Sequence, residues 1–239
     1  MNNGVLVQSQ NQLIVPLGLV GYWPLNDGSG LTVGDFGGNN KLIGNISGNV
    51  AWTTGRVGPA LKFTSGTGLS SSVRIATSSY VSSLSTIAQS FTCWVNGTSF
   101  PNAYNTVVTT NGLAGDVNLY FAILVKSTGK LAMYLTQTNG TAISYDGTGT
   151  NTLVAGTWYH LAMTFTTAIG LKGYLNGVQD GATATTGVNN KLGSLSLQIG
   201  GYSPEYNDRG FNGKIDDVRL YNRALTAAEV NQLYLARGT

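Results

Sequence analysis

Apolar residues in this chain come in short runs separated by segments rich in Gly, Asn, Ser and Thr. The runs are LVGYWPL (19–25), ALKF (60–63), SVRIA (72–76), FTCWV (91–95), NLYFAILV (118–125), KLAMYL (130–135), WYHLAMTF (158–165), GLKGYL (170–175), LSLQI (195–199) and KIDDVRLY (214–221). Runs of this length with such borders predict strands. Leu131, Met133 and Leu135 share one face, and Leu195, Leu197 and Ile199 share another, because strand side chains alternate with a period of two. The turn chemistry predicts pairing between neighbours. STGK (127–130) reads as a hairpin, and Asn176-Gly177 carries the signature of a type I′ turn. Many short strands joined in this way predict an antiparallel sandwich.

One helix is expected near the C-terminus. Thr226 and Glu229 fit the capping box T-x-x-E. Ala227, Val230, Leu233 and Tyr234 then recur at helical spacing. No internal repeat or linker divides the chain, so residues 19–239 are expected to form one domain. Residues 1–18 are rich in Asn and Gln. They read as a tail, or as an arm that adds a strand to a neighbour.

Composition narrows the function. Charged residues are 10% of the chain, where about 25% is typical. The net charge is +3, with Lys and Arg scattered. No basic stripe with interleaved aromatics appears, which argues against nucleic acid. The opening residues lack the basic and continuous apolar regions of a secretory signal. No stretch reaches the roughly 20 apolar residues of a membrane helix. The single Cys93 sits in an apolar run and reads as a buried thiol.

VGYWPLNDGSG (20–30), RVGPALKF (56–63), WYHLAMTF (158–165), GYLNGVQDG (173–181) and GKIDDVRLYNRALTAAEV (213–230) follow one another in this order. Together they resemble the laminin G-like, concanavalin A-like lectin/glucanase superfamily. The resemblance implies a jelly-roll sandwich of two antiparallel sheets. It also implies a structural Ca²⁺, with Asp216 of the last long strand as a ligand. GDFGGNNKLIG (34–44) resembles the family's loop of Asp, Gly and Asn and would bring Asp35 and Asn39 to the ion. Ca²⁺ takes 6–8 oxygens, many of them from carbonyls. The alternative stays open. Strict alternation puts Asp216 and Asp217 on opposite faces, with one bonding Arg219, Arg223 or a turn amide, and Asp35 then simply starts a turn.

Relatives that cleave β-glucans use an E-x-D-x-x-E strand motif, with carboxyls about 5–5.5 Å apart for retention. This chain has two Glu, Glu205 and Glu229, and neither sits in such a motif. The lone His160 reads as a packed, hydrogen-bonded core residue. Trp23, Trp52, Trp94 and Trp158 also read as core. A binding role is therefore expected over catalysis. Exposed aromatics suit sugars, because they offer apolar faces with polar rims. GGYSPEYNDRGFNG (200–213) supplies Tyr202, Tyr206, Asp208, Arg209 and Phe211 as candidate ligand contacts, with Tyr104 and Tyr145 elsewhere. The expected function is a non-catalytic recognition or adhesion module for a glycan or glycoprotein surface, working outside the cell or on a virion. The alternative is a structural part of an assembly, such as a virion decoration protein or surface-layer subunit. Its homo-oligomer contacts would run through residues 1–18. A glycan hydrolase or lyase ranks third.

Overall fold

The computed structural model describes residues 17–37, 42–65, 71–75, 87–111, 119–138, 142–146, 149–185, 196–201 and 209–236; for 111, 119–120 and 142–146 this extends to the backbone alone. Two antiparallel sheets make up most of the described chain. The first contains β1 (Leu19–Trp23), β4 (Val50–Thr54), β5 (Pro59–Phe63), β7 (Ala88–Ser99), β12 (Trp158–Thr166), β13 (Gly170–Leu175), β14 (Val178–Gln179) and β16 (Asn212–Tyr221). Its order is β14-β13-β12-β7-β16-β5-β4, with β1 also paired to β16. The second contains β2 (Thr32–Val33), β3 (Gly44–Ser47), β6 (Ser72–Ile75), β8 (Tyr104–Asn111), β9 (Leu119–Lys126), β10 (Leu131–Thr136), β11 (Ala142–Asp146) and β15 (Ser196–Ile199). Its order is β11-β10-β9-β8-β15-β6-β3-β2. Strands distant in sequence lie side by side, as in a jelly roll.

The sheets meet over one apolar seam. Phe91, Cys93 and Val95 of β7, and Leu161, Met163 and Phe165 of β12, face Phe121, Ile123 and Val125 of β9 and Leu131, Met133 and Leu135 of β10. Burying each Val, Leu, Ile or Phe contributes roughly 1.5–3 kcal/mol, so this alternation is what holds the two layers together. The hairpin expectations are met. Asn176 and Gly177 both take positive φ, 50° and 81°, and join β13 to β14. Gly129, at φ 75°, turns β9 into β10.

Helix α1 (Ala227–Leu235) begins with the expected box. Thr226 Oγ1 accepts from Glu229 N–H, and the Glu229 side chain accepts from Thr226 N–H. Val230 and Leu233 are buried on the outer face of the first sheet, against Ala162, Tyr174, Tyr221 and Leu225. Ala227 is exposed and Tyr234 half-buried, so the apolar stripe is narrower than the spacing suggested. Trp23 is fully buried and Trp94 is 5% exposed. Trp52 and Trp158 are only half-buried.

Candidate functional site

The acidic pair is placed by a bulge. β16 pairs with β7 in step from Gly213–Gly97 to Asp216–Trp94, and pairing resumes at Arg219–Thr92. Asp217 and Val218 thus oppose the single Cys93. Asp217 takes φ 55° to make room, in the left-handed region that Asp tolerates better than most residues. Strict alternation would have sent Asp217 into the core behind Ile215. The bulge turns it outward instead, so Asp216 and Asp217 line one recess and not opposite faces. Tyr22, Pro24, Asn26, Arg56, Val57 and Trp94 complete its walls, and the recess is partly open to solvent.

The two carboxylates do different work. Asp216 is 2% exposed, and its Oδ2 accepts from Arg56 N–H at 2.8 Å. Burial pushes its carboxyl up to about 7, against the pull of the Arg56 amide and with a push from Asp217. A Cβ on Gly55 would lie 2.5 Å from Asp216 Oδ2, so the turn needs glycine there. Asp217 Oδ2 instead pairs with Arg219 Nη1 at 2.7 Å, with the two side chains 12% and 3% exposed. The Arg219 guanidinium lies 4.5 Å from the Tyr22 ring centre. Arg56 covers the Trp94 ring at 4.7 Å. One carboxylate clamps a turn, and the other neutralises a buried arginine.

The calcium expectation can be held against these contacts. Asn39 lies outside the described residues. Asp35 accepts from the backbone N–H of Tyr22, Gly37 and Leu42 at 2.8, 2.8 and 3.0 Å, which fills three of the roughly four acceptor sites of a carboxylate. Asp35 and Asp216 share no partner. Among the described residues, no three His, Cys, Asp or Glu gather around a common point. In this structure Asp35 and Asp216 both serve as acceptors for loop amides.

The outer face of the second sheet has a different character. Register places Tyr134, Ala122, Thr109, Gln198, Arg74 and Asn45 in one row across β10, β9, β8, β15, β6 and β3. Tyr104 and Tyr134 meet edge to face, with centroids 5.5 Å apart and planes at 88°. Their hydroxyls bond at 2.9 Å. The half-buried rings arch over a small apolar floor of Ala122, Leu124 and Ala132. Lys126 Nζ lies 5.6 Å from the Tyr104 ring centre. This is an aromatic ledge with hydroxyl and ammonium groups at its rim.

The described ends of the segment proposed for ligand contact are fastened to β8 and the loop before it. Thr106 N–H donates to Arg209 O, and Gly200 N–H to Val107 O, each at 2.8 Å. Asn102 Nδ2 donates to Gly210 O at 2.9 Å. A bulge at Val107 in β8 accommodates these contacts. Tyr202, Tyr206 and Asp208, with Glu205, lie outside the described residues, as does the side chain of Tyr145. Arg209 is half-buried. Phe211 is a correction: it is fully buried in the main core, so its ring has no face to offer a sugar. Sequence reasoning missed Tyr134 and Lys126. Tyr134 was readable as the polar-rimmed residue on the face opposite Leu131, Met133 and Leu135.

His160 is fully buried, between Trp94 at 5.3 Å and Tyr234 at 6.2 Å. Its backbone N–H donates to Asn176 Oδ1, but neither ring nitrogen has a partner. The expected ring hydrogen bond is absent. Burial, reinforced by the Arg219 charge, pushes its pKa down to about 3, far from that of a base poised near neutrality. Glu229 is held by Arg223 and the Thr226 cap. Cys93 is buried, and burial raises its thiol well above the usual range.

Comparison with known proteins agrees with this architecture. Domain 4 of AbnA, a GH43 extracellular arabinanase from Geobacillus stearothermophilus solved with arabinotriose, is 23% identical, with a TM-score of 0.67 over 90% of this chain and 98% of that domain. Trypanosoma rangeli sialidase is 16% identical with a TM-score of 0.67; 92% of this chain matches, but only 33% of the sialidase. The chain thus spans about a third of that enzyme. The binding domain of Paraclostridial Mosquitocidal Protein 1 is 19% identical with a TM-score of 0.64, over 91% of this chain and 52% of that one. At these identities the likeness is one of fold. No curated protein sequence matches the chain. Among the described residues, no helix is long and apolar enough to cross a membrane. The family model for concanavalin A-like lectin/glucanases matches residues 67–231, and the chain belongs to that superfamily.

Proposed function

We propose that this protein is a non-catalytic carbohydrate-recognition module working outside the cell. It binds glycans on the outer face of the second sheet, at Tyr104 and Tyr134, with Tyr202, Tyr206, Asp208 and Arg209 as further contacts. The observation that carries this reading is the Tyr104–Tyr134 ledge, half-buried and rimmed by hydroxyls and Lys126. Such a surface stacks on the apolar face of a sugar while its rim bonds hydroxyls. The outer face of the first sheet is occupied by α1. Among described residues, no helix covers the second. The arabinotriose complex of the similar arabinanase domain adds support.

The acidic groups favour binding over hydrolysis. Asp216 and Asp217 are engaged by a turn and an arginine, and Glu229 by its cap. The test is a glycan array probed with the intact protein, followed by mass spectrometry of each bound glycan after prolonged incubation. Binding without cleavage supports the module. Cleavage of a bound glycan would replace it with a hydrolase or lyase. No binding to any glycan would favour a structural role in an assembly.

A further inference from the structure

The feature that the binding role leaves unused lies under α1. His160 is the only histidine of the chain. It is fully buried on the outer face of the first sheet, between Trp94 of β7 and Tyr234 of α1. Both ring nitrogens lack a partner, and so do Thr92 Oγ1 and Tyr221 OH in the same covered layer. A neutral imidazole with no bond already costs something when buried; an imidazolium with no acceptor costs far more.

The charged and titratable groups around this layer do not relieve that cost. On β16, Arg219 is a cation and opposes a second one, while Asp217 is spent on Arg219. Asp216 lies across the Trp94 ring, in the row His160–Trp94–Asp216, and is bonded to the 55–57 turn. Arg56 covers Trp94. From β13 and α1 come Tyr174 and Tyr234, and at the helix start Arg223 and Glu229 neutralise one another.

We propose that His160 makes the docking of α1 acid-sensitive: the helix is released as the imidazole takes up a proton, uncovering the sheet around Trp94. When α1 lifts, the ring meets water and titrates at its ordinary value of about 6.5. Docked, it stays neutral to much lower pH. The undocked form therefore binds more protons below 6.5, and falling pH favours it about tenfold per unit. Between pH 7.5 and 5.0 the opening constant of α1 rises about 30-fold. Glu229 titrates below this window; Asp216 titrates inside it, but it is bonded to the 55–57 turn and not to α1, and the comparison with His160→Gln separates its effect.

Amide hydrogen exchange tests this on the intact protein. Protection factors of α1 and of β7 are compared at pH 7.5 and 5.0, in wild type and in His160→Gln. The expected result is a loss of about 30-fold in α1 protection at pH 5.0, no matching loss in β7, and no such loss in the variant. Unchanged α1 protection, an unchanged response in His160→Gln, or loss in β7 in step with α1 would each overturn the proposal. Should the variant fail to fold, the single histidine resonance decides. In the folded protein it is expected to stay neutral down to about pH 4, and a ring titrating near 6.5 with α1 docked would overturn the proposal.

Discussion

Asp217→Asn isolates what the bulge is for. Asn accepts the left-handed backbone that Asp217 adopts at φ 55°, and it keeps the side-chain volume. What it removes is the negative partner of Arg219, whose side chain is 3% exposed. Breaking a buried pair from one side costs about 3–5 kcal/mol, because the remaining charge is stranded. Asp217 keeps 12% exposure, and the Tyr22 ring remains over the guanidinium, so the lower end, about 3 kcal/mol, applies. Unfolding entropy of about 2.1 cal/mol/K per residue gives about 500 cal/mol/K for this chain, and Tm should fall by about 6 °C. Scanning calorimetry with urea melts reads both quantities. Asp217→Ala should lose about 1 kcal/mol more, from backbone strain alone. Asp217→Asn combined with Arg219→Met removes both charges and should recover at least half of the loss. A cost below about 1 kcal/mol for Asp217→Asn, or a double variant no better than the single one, would refute the pairing argument.

Three further outcomes follow from the same contacts. Asp216 has its carboxyl raised from 3.8 to about 7, so the native state holds a proton there that the unfolded chain has released. Its contribution is complete below 3.8 and is lost as pH rises toward 7. Asp216→Asn should flatten that part of the stability profile, seen in urea melts at pH 4, 5.5 and 7; an unchanged slope would contradict the assignment. Thr226→Ala should cost about 1 kcal/mol, or about 2 °C in Tm, because two capping bonds vanish; an unmoved Tm would mean that α1 is held by packing alone. Tm should also be the same in millimolar Ca²⁺ and in EDTA, since Asp35 and Asp216 already accept loop amides. A rise of several degrees in Ca²⁺ would show that these carboxylates can hold a metal after all.

The sandwich was readable because its rules are local. Period-two alternation set Leu131, Met133 and Leu135 inward, Asn176-Gly177 marked a turn, and Thr226 with Glu229 marked a helix start. The acidic pair was not readable by the same rule, since a bulge adds one residue and resets the alternation. A trace of it was present: Ile215, Val218 and Leu220 are spaced by three and then two, which no regular strand allows. Phe211 was misjudged because a loop composition rich in Tyr, Asp and Asn suggested exposure. Its burial goes with the bonds of Gly200 and Arg209 to β8, which lies far away in sequence. Tyr104 and Tyr134 come together only through the β8–β9–β10 register, and their hydroxyl bond joins residues 30 apart. His160 was placed correctly in the interior, but its lack of any ring partner is a property of three dimensions.

The most direct test of the central claim is the glycan array repeated with Tyr104→Ala/Tyr134→Ala alongside Arg56→Ala. The first variant strips the ledge of the second sheet, and the other alters only the recess on the first. Loss of binding in the tyrosine variant, with the arginine variant unaffected and both folded by circular dichroism, is the expected result. Full binding by the tyrosine variant, or loss only in Arg56→Ala, would move the site to the recess and contradict the account.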